Sequence, residues 1–272
     1  MNQYREDEIR AIVNECAERR TYVAAHCHPA SAIRRCVEFG VRSIEHGTLI
    51  DDDTAWFVAE RGACIVPTMV VIFVLVEMGK EIGFPAVSQE KAEYEYKQAL
   101  SGMDKMRAAG VKVGFGTDLL GSTYVQECRE FTIRSEVFTP LEILRQATSI
   151  NAEMMMQQGK PGCIAPDAHA DVLLVDGDPL QDMSLLAANG KNLRMIVTGG
   201  DVVKDEPRYG AFKAYRTGQV WVYERRLNAA GANDYWSRAV SRPDLILADL
   251  VKIFHPSLIP QHEWQWYMQV PR

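Results

Sequence analysis

The sequence predicts an α/β protein built on a parallel sheet. Three observations carry this. Segments with helical apolar spacing alternate with short β-branched runs, a glycine punctuates most helix ends, and polar residues suited to chemistry gather where the strands end. A length of 272 residues with 47% hydrophobic and 24% charged residues is enough for a barrel-sized core and excludes collagen-like, mucin-like and low-complexity classes.

Along the chain, Ile9, Ile12, Val13, Cys16 and Ala17 recur at helical spacing, and Thr21 to Ala25 forms a strand leading into His26-Cys27-His28-Pro29. Ala32 to Phe39 is a second helix, ended by Gly40, before a strand from Val41 that closes on His46 and Gly47. Asp53 to Arg61 is the third helix, with Gly62 as its cap, and Ala63 to Met69 the third strand. The apolar run from Cys64 to Val76 is read as a buried strand and its exit loop; Pro67 interrupts it, and it falls short of the roughly 20 residues a membrane span needs. After a loop over 79–88, a long helix reaches Ala109 and ends at Gly110, and Val111 to Phe115 runs into Gly116-Thr117-Asp118. Helix-then-strand units in series favour parallel pairing through right-handed crossovers.

The net charge of −6 disfavours nucleic acid or an anionic membrane surface as partner and favours a small molecule. The N-terminus is charged throughout, with no apolar core of a signal peptide, so a cytoplasmic location is expected. The six cysteines contain no CxxC pair and read as small buried hydrophobes in a reducing compartment.

His26, His28, His46 and Asp118 all fall at predicted strand ends, the edge of α/β sheets where ligands bind. His26 and His28, two apart on an extended segment, point the same way. Any one of these histidines alone reads equally as a satisfied buried imidazole. Together, two imidazoles and a carboxylate with an open position form the smallest set for a catalytic Zn²⁺, which brings the pKa of its bound water to about 7.

The segment AAHCHPASAIRRCVEFGVRSIEHGTLIDDDT, followed by GVKVGFGTD, resembles strands five, six and eight of the metal-dependent amidohydrolase superfamily, in the imidazolonepropionase-like and Xaa-Pro/Xaa-Arg dipeptidase branch. The resemblance implies the C-terminal half of a TIM (β/α)8 barrel over residues 1–160 and part of a flanking β-sandwich over 161–205. It implies His26 and His46 as ligands of Zn²⁺ or another divalent transition metal. Asp118 becomes the carboxylate that both ligates metal and shuttles a proton, and His28 a substrate-side group. Thr139-Pro140-Leu141-Glu142 reads as a capping box with proline at the first helical position, leading a helix to about Met156 in which Met154, Met155 and Met156 are packing residues. Asp171, Asp176 and Asp178 read as turn and cap residues.

The chain also departs from that family. The sandwich strands and His-x-His first strand that open its members do not precede the first helix, and Lys80 and Lys112 lie in a loop and at a strand start, where neither replaces the family's bridging lysine. His26-x-His28 could instead be that first-strand motif, but SIEHG twenty residues on fits strands five and six better.

Composition shifts near residue 206. Residues 206–272 carry nine Lys and Arg against six Asp and Glu, four of the five Trp and none of the Cys. This suggests a second unit or a C-terminal elaboration of the first. Its RPDLILADLVKIFHP resembles the C-terminal end of periplasmic substrate-binding proteins of iron- and cobalamin-type ABC transporters, as an α/β extension. Trp221, Tyr223 and Trp236 are then packing or cleft aromatics, Leu245, Leu247, Leu250 and Val251 a buried helix face, and His255 and His262 loop caps.

Two functions follow: a metal-dependent hydrolase of an amide or dipeptide, impaired by truncation, or a non-catalytic ligand-binding or remnant protein with a chimeric, solute-binding tail. The open edges of a half barrel predict a homo-oligomer.

Overall fold

The computed structural model describes residues 3–199, 201–202, 221–222, 225–226 and 242–269. The chain divides into two compact units, 1–119 with 125–204, and 120–124 with 205–272.

In the first unit, helix α1 (Glu6–Glu18) precedes β1 (Ala24–Pro29), α2 (Ala30–Glu38), β2 (Ser43–Leu49), α3 (Asp52–Glu60), β3 (Cys64–Val66), α4 (Met69–Met78), α5 (Ala86–Ala108) and β4 (Lys112–Val113). The four strands form one parallel sheet in chain order, β1-β2-β3-β4, as the alternating pattern predicts. Four helix ends close alike. The amides of Thr21, Val41, Ala63 and Val111 each return to a carbonyl five residues earlier, at Cys16, Cys36, Val58 and Met106. That closure needs a left-handed residue, supplied by Gly40 (φ +100°) after α2 and, at greater steric cost, by Arg20 (φ +55°) after α1.

The core lies between sheet and helices. Ile33, Ile44, Ile65, Val58, Met103 and Met106 are fully buried in it, and each such side chain contributes roughly 1.5–3 kcal/mol by leaving water. Asp51 caps α3 by accepting the Thr54 amide at 2.8 Å.

The apolar run that reads as strand and exit loop is a strand only over Cys64–Val66; from Met69 it is helix α4. A β-branched, wholly apolar run has no periodicity to separate strand from buried helix. Here a distant residue decides: Glu130 accepts the Met69 and Val70 amides at 3.3 and 2.7 Å, capping the helix. The first strand also starts later than expected and the second runs on to Leu49, so His26 and His28 lie within β1 and His46 within β2 rather than at or beyond their ends.

Helix α6 (Arg129–Arg134) leads to α7 (Pro140–Arg145), a π-turn (Gln146–Ile150) and α8 (Asn151–Met154). The capping box forms as its sequence implies, with the Glu142 carboxylate on the Thr139 amide at 2.7 Å. Met154 is buried against Gly114, whereas Met155 and Met156 are exposed, because the helix ends at Met154. Beyond it β5 (Val172–Val175), α9 (Ser184–Ala187), β6 (Leu193–Thr198) and β7 (Asp201–Val202) follow, the strands forming an antiparallel sheet. Asp171 accepts the Gly199 amide and Thr198 hydroxyl, and Asp178 the Leu180 amide. Cys27 and Cys64 are buried; Cys16, Cys36, Cys128 and Cys163 are only partly covered.

In the second unit, β8 (Trp221–Val222) pairs antiparallel with β9 (Met268–Gln269), and α10 (Pro243–Phe254) ends at His255. In α10 Asp249 is buried, Leu245, Leu250 and Val251 are half-buried and Leu247 is exposed, so the expected leucine face is only partly covered. The Asp249 carboxylate accepts the amides of Gln265, Trp266 and Tyr267 and meets His262 Nε2 at 2.6 Å. Burial alone would push that carboxyl up; these donors outweigh it and hold it below the usual range. Tyr223 and Trp236 lie outside the described residues. No helix among the described residues is long and apolar enough to cross a membrane.

Candidate functional site

Parallel pairing of β1 with β2 sets His26 opposite Glu45 and Cys27 opposite His46, and the register shifts between Cys27 and Pro29. This brings both histidines of β1 to one imidazole of β2. His26 Nδ1 lies 2.8 Å from His46 Nε2, and the His28 ring stacks on His46 with centroids 4.6 Å apart and planes 2° apart.

His46 is the hub. It is buried, and its backbone sits at φ +76° inside a strand. Thr68, leaving β3, has φ +33° and places Oγ1 2.7 Å from His46 Nδ1. Asp118, after β4, has φ +51° and places Oδ2 3.9 Å from His46 Nε2. Left-handed backbone at non-glycine residues costs about 1–3 kcal/mol each, and here it recurs within β2 and just after β3 and β4, all around one ring. Burial lowers the His46 pKa against the opposing pull of Asp118, and His26 lowers it further.

His28 is tied from two elements. Its Nδ1 lies 3.1 Å from Thr48 Oγ1 on β2 and 3.2 Å from Glu95 Oε1 on α5. Burial, then His46 and His26, push its pKa down to about 4, and burial raises that of Glu95.

Three of the four residues expected from sequence, His26, His28 and His46, therefore touch, and Asp118 stands 3.9 Å from His46 with its side chain nearly half exposed. Thr48, Thr68 and Glu95 escape sequence reading. Thr68 is one hydroxyl in an apolar run, and Glu95 is one acid among several on a charged helix. Lys112 pairs with Glu153, and Lys80 is exposed.

Among the described residues no group of three or more His, Cys, Asp or Glu closes on a common point for a metal ion. The donors nonetheless suit one in kind. Two ring nitrogens face each other at 2.8 Å with a carboxylate oxygen nearby, and His46 Nδ1 is already engaged by Thr68, which leaves Nε2 as its coordinating atom.

The amidohydrolase family profile matches residues 1–203. Among curated proteins, ochratoxinase of Aspergillus niger is 27% identical over 206 residues, covering 74% of this chain and 42% of the relative. Among solved structures, an amidohydrolase is 46% identical with a TM-score of 0.73, covering 75% of this chain and 49% of its own. A prolidase complexed with N-methylphosphonate-L-proline is 43% identical, also at 0.73, covering 75% of this chain and 50% of its own. The chain thus spans about half the length of the proteins it matches.

Proposed function

The chain belongs to the amidohydrolase family, and from that premise we propose that it is a metal-dependent hydrolase of carbon–nitrogen bonds in a small amide or dipeptide. One observation carries the reading: His26 Nδ1 and His46 Nε2 at 2.8 Å, with Asp118 Oδ2 3.9 Å from the latter. His26, His46 and Asp118 would hold Zn²⁺ or another divalent transition metal, which when bound acidifies water and polarises a carbonyl. Asp118 Oδ2 takes the proton of the attacking water and returns it to the leaving amine nitrogen. Thr68 orients the His46 ring, and His28 meets the substrate. Amide and dipeptide substrates are supported by the prolidase and ochratoxinase likenesses.

The same likenesses support reading residues 1–160 as half of a (β/α)8 barrel, with β1 to β4 as its strands five to eight, and 161–205 as part of a sandwich. The sheet order leaves β1 and β4 as edges, which favours a homo-oligomer. A single monomeric species in sedimentation at micromolar concentration would count against it. The family match ends at residue 203 and lends no support to the substrate-binding-protein reading of the tail.

The test is elemental analysis of the purified chain beside a His26→Ala/His46→Ala variant, with hydrolysis of a panel of dipeptides and N-acyl amino acids. About one metal per chain, lost in the variant, is expected. Turnover should vanish with chelator and fall by about 10²–10⁴-fold in Asp118→Asn. Hydrolysis that survives Asp118→Asn overturns the mechanism.

A further inference from the structure

We propose that Glu130 is a positioning residue of this site: it caps α4 in place of Thr68 and so leaves the Thr68 hydroxyl to hold the His46 ring.

Thr68 immediately precedes the first turn of α4. A threonine there ordinarily keeps an extended backbone, and its hydroxyl accepts an amide two or three residues on. Here the backbone is left-handed, at φ +33° and ψ +56°, and the hydroxyl caps no amide of the helix. Its Oγ1 lies instead 2.7 Å from His46 Nδ1. The first amides of α4 still need an acceptor, because Met69 and Val70 are fully buried and water cannot stand in for a missing partner.

Glu130 supplies that acceptor from α6. Its Oε2 accepts the Val70 amide at 2.7 Å and its Oε1 the Met69 amide at 3.3 Å. The carboxylate is itself fixed: Arg134 Nε donates to Oε1 at 2.6 Å, Arg134 Nη1 is anchored on the Gly114 carbonyl and Gln146 Oε1, and the guanidinium lies over the Phe115 ring. One residue before Glu130, Arg129 makes a two-pronged pair with Glu77, both contacts at 2.8 Å. Helix α6 therefore grips α4 near both of its ends. A carboxylate at a helix N-terminus is a stronger acceptor than a hydroxyl, so the helix draws nothing from Thr68. Without Glu130 the nearest substitute within the chain's own first turn is the Thr68 hydroxyl, and turning it to the helix takes it from His46.

The division of labour between Glu130 and Thr68 stands on these contacts; its use toward a metal rests on the hydrolase reading. The experiment is NMR of the full chain without metal, with the His46 ring assigned by its loss in His46→Gln. Thr68→Val should shift the His46 ring signals. Glu130→Met/Arg134→Met, which removes the cap and strands neither charge, should shift them too, but add nothing in the Thr68→Val background. An unmoved ring in that variant, or an equal further shift in the Thr68→Val background, overturns the proposal. If the variant fails to fold, amide exchange of Thr68→Val decides: the Val70 amide should stay as protected as in wild type, relative to the amides of α5. Exchange about tenfold faster shows that Thr68 is the cap and overturns the proposal. Titration with Co²⁺ is a separate arm, and affinity should fall about 10–100-fold both in Thr68→Val and in Glu130→Met/Arg134→Met. Unchanged affinity in either overturns the role toward metal. A wild type that takes up no Co²⁺ overturns the hydrolase reading instead, and the ring shifts and exchange still decide whether Glu130 frees Thr68.

Discussion

Glu130 and Arg134 form a fully buried ion pair, with Arg134 Nε 2.6 Å from Glu130 Oε1 one helical turn away. Burial lowers the guanidinium pKa, opposed by Glu130, and the pair survives because each side has further partners. Arg134 Nη1 donates to the Gly114 carbonyl and to Gln146 Oε1, joining the end of β4 to the π-turn. Glu130 caps α4. Removing one member strands the other, so Arg134→Met and Glu130→Gln should each lose about 3–5 kcal/mol, measured by urea unfolding of the first unit. A loss below about 1 kcal/mol would show that the pair is dispensable.

Gly102→Ala tests two opposed effects. Alanine in a helix interior normally gains about 1 kcal/mol over glycine. Overpacking a tight contact costs about 1–3 kcal/mol, and here the clash is with the Thr48 carbonyl, which cannot rotate away. Net destabilisation is therefore expected in urea, with a shifted His28 ring signal because Thr48 also holds that imidazole. Stabilisation would mean that α5 does not press on β2 as tightly as the contact implies.

Acid should weaken the metal-free protein through His28. Its folded pKa, near 4, lies below the ordinary 6.5. Above pH 6.5 both folded and unfolded forms are neutral and its contribution is intact. As pH falls from 6.5 to 4 the unfolded chain takes a proton that the folded one refuses, and stability drops until both are protonated. His28→Gln should flatten that part of the stability profile, followed by urea midpoints at half-unit steps. Glu95, raised by burial, acts in the opposite sense, favouring the fold at low pH and losing that contribution as it ionises.

Cys36 should be the first of the buried-side thiols to react. The neighbouring Cys27 thiol, with help from Arg35 and against burial, brings its pKa down to about 7, while Cys27, whose thiol donates to the Ala25 carbonyl at 3.9 Å, is itself pushed up. Burial raises Cys64 and Cys128. Brief iodoacetamide treatment at pH 7.5 should modify Cys36 ahead of both, read by peptide mass spectrometry. Earlier modification of Cys128 would contradict the lowered pKa of Cys36.

Local chemistry made much of this chain legible from residues alone. Glycines 40, 62 and 110 mark helix ends, Thr139 and Glu142 announce a capping box, and helix–strand alternation yields the parallel sheet. Each rests on interactions within a few residues. His26, His28, His46 and Asp118 could likewise be picked out, because the C-terminal halves and exits of parallel strands share one edge of the sheet. What lay beyond reading was every feature set by contacts far apart in the chain. Glu130 makes a helix of an apolar run 60 residues earlier, Asp249 is drawn into the interior by amides of residues 265–267, and Thr68 and Glu95 reach the histidines from separate elements. The left-handed backbone at His46, Thr68 and Asp118 belongs to the same class, since only packing around them can hold a conformation their own side chains disfavour.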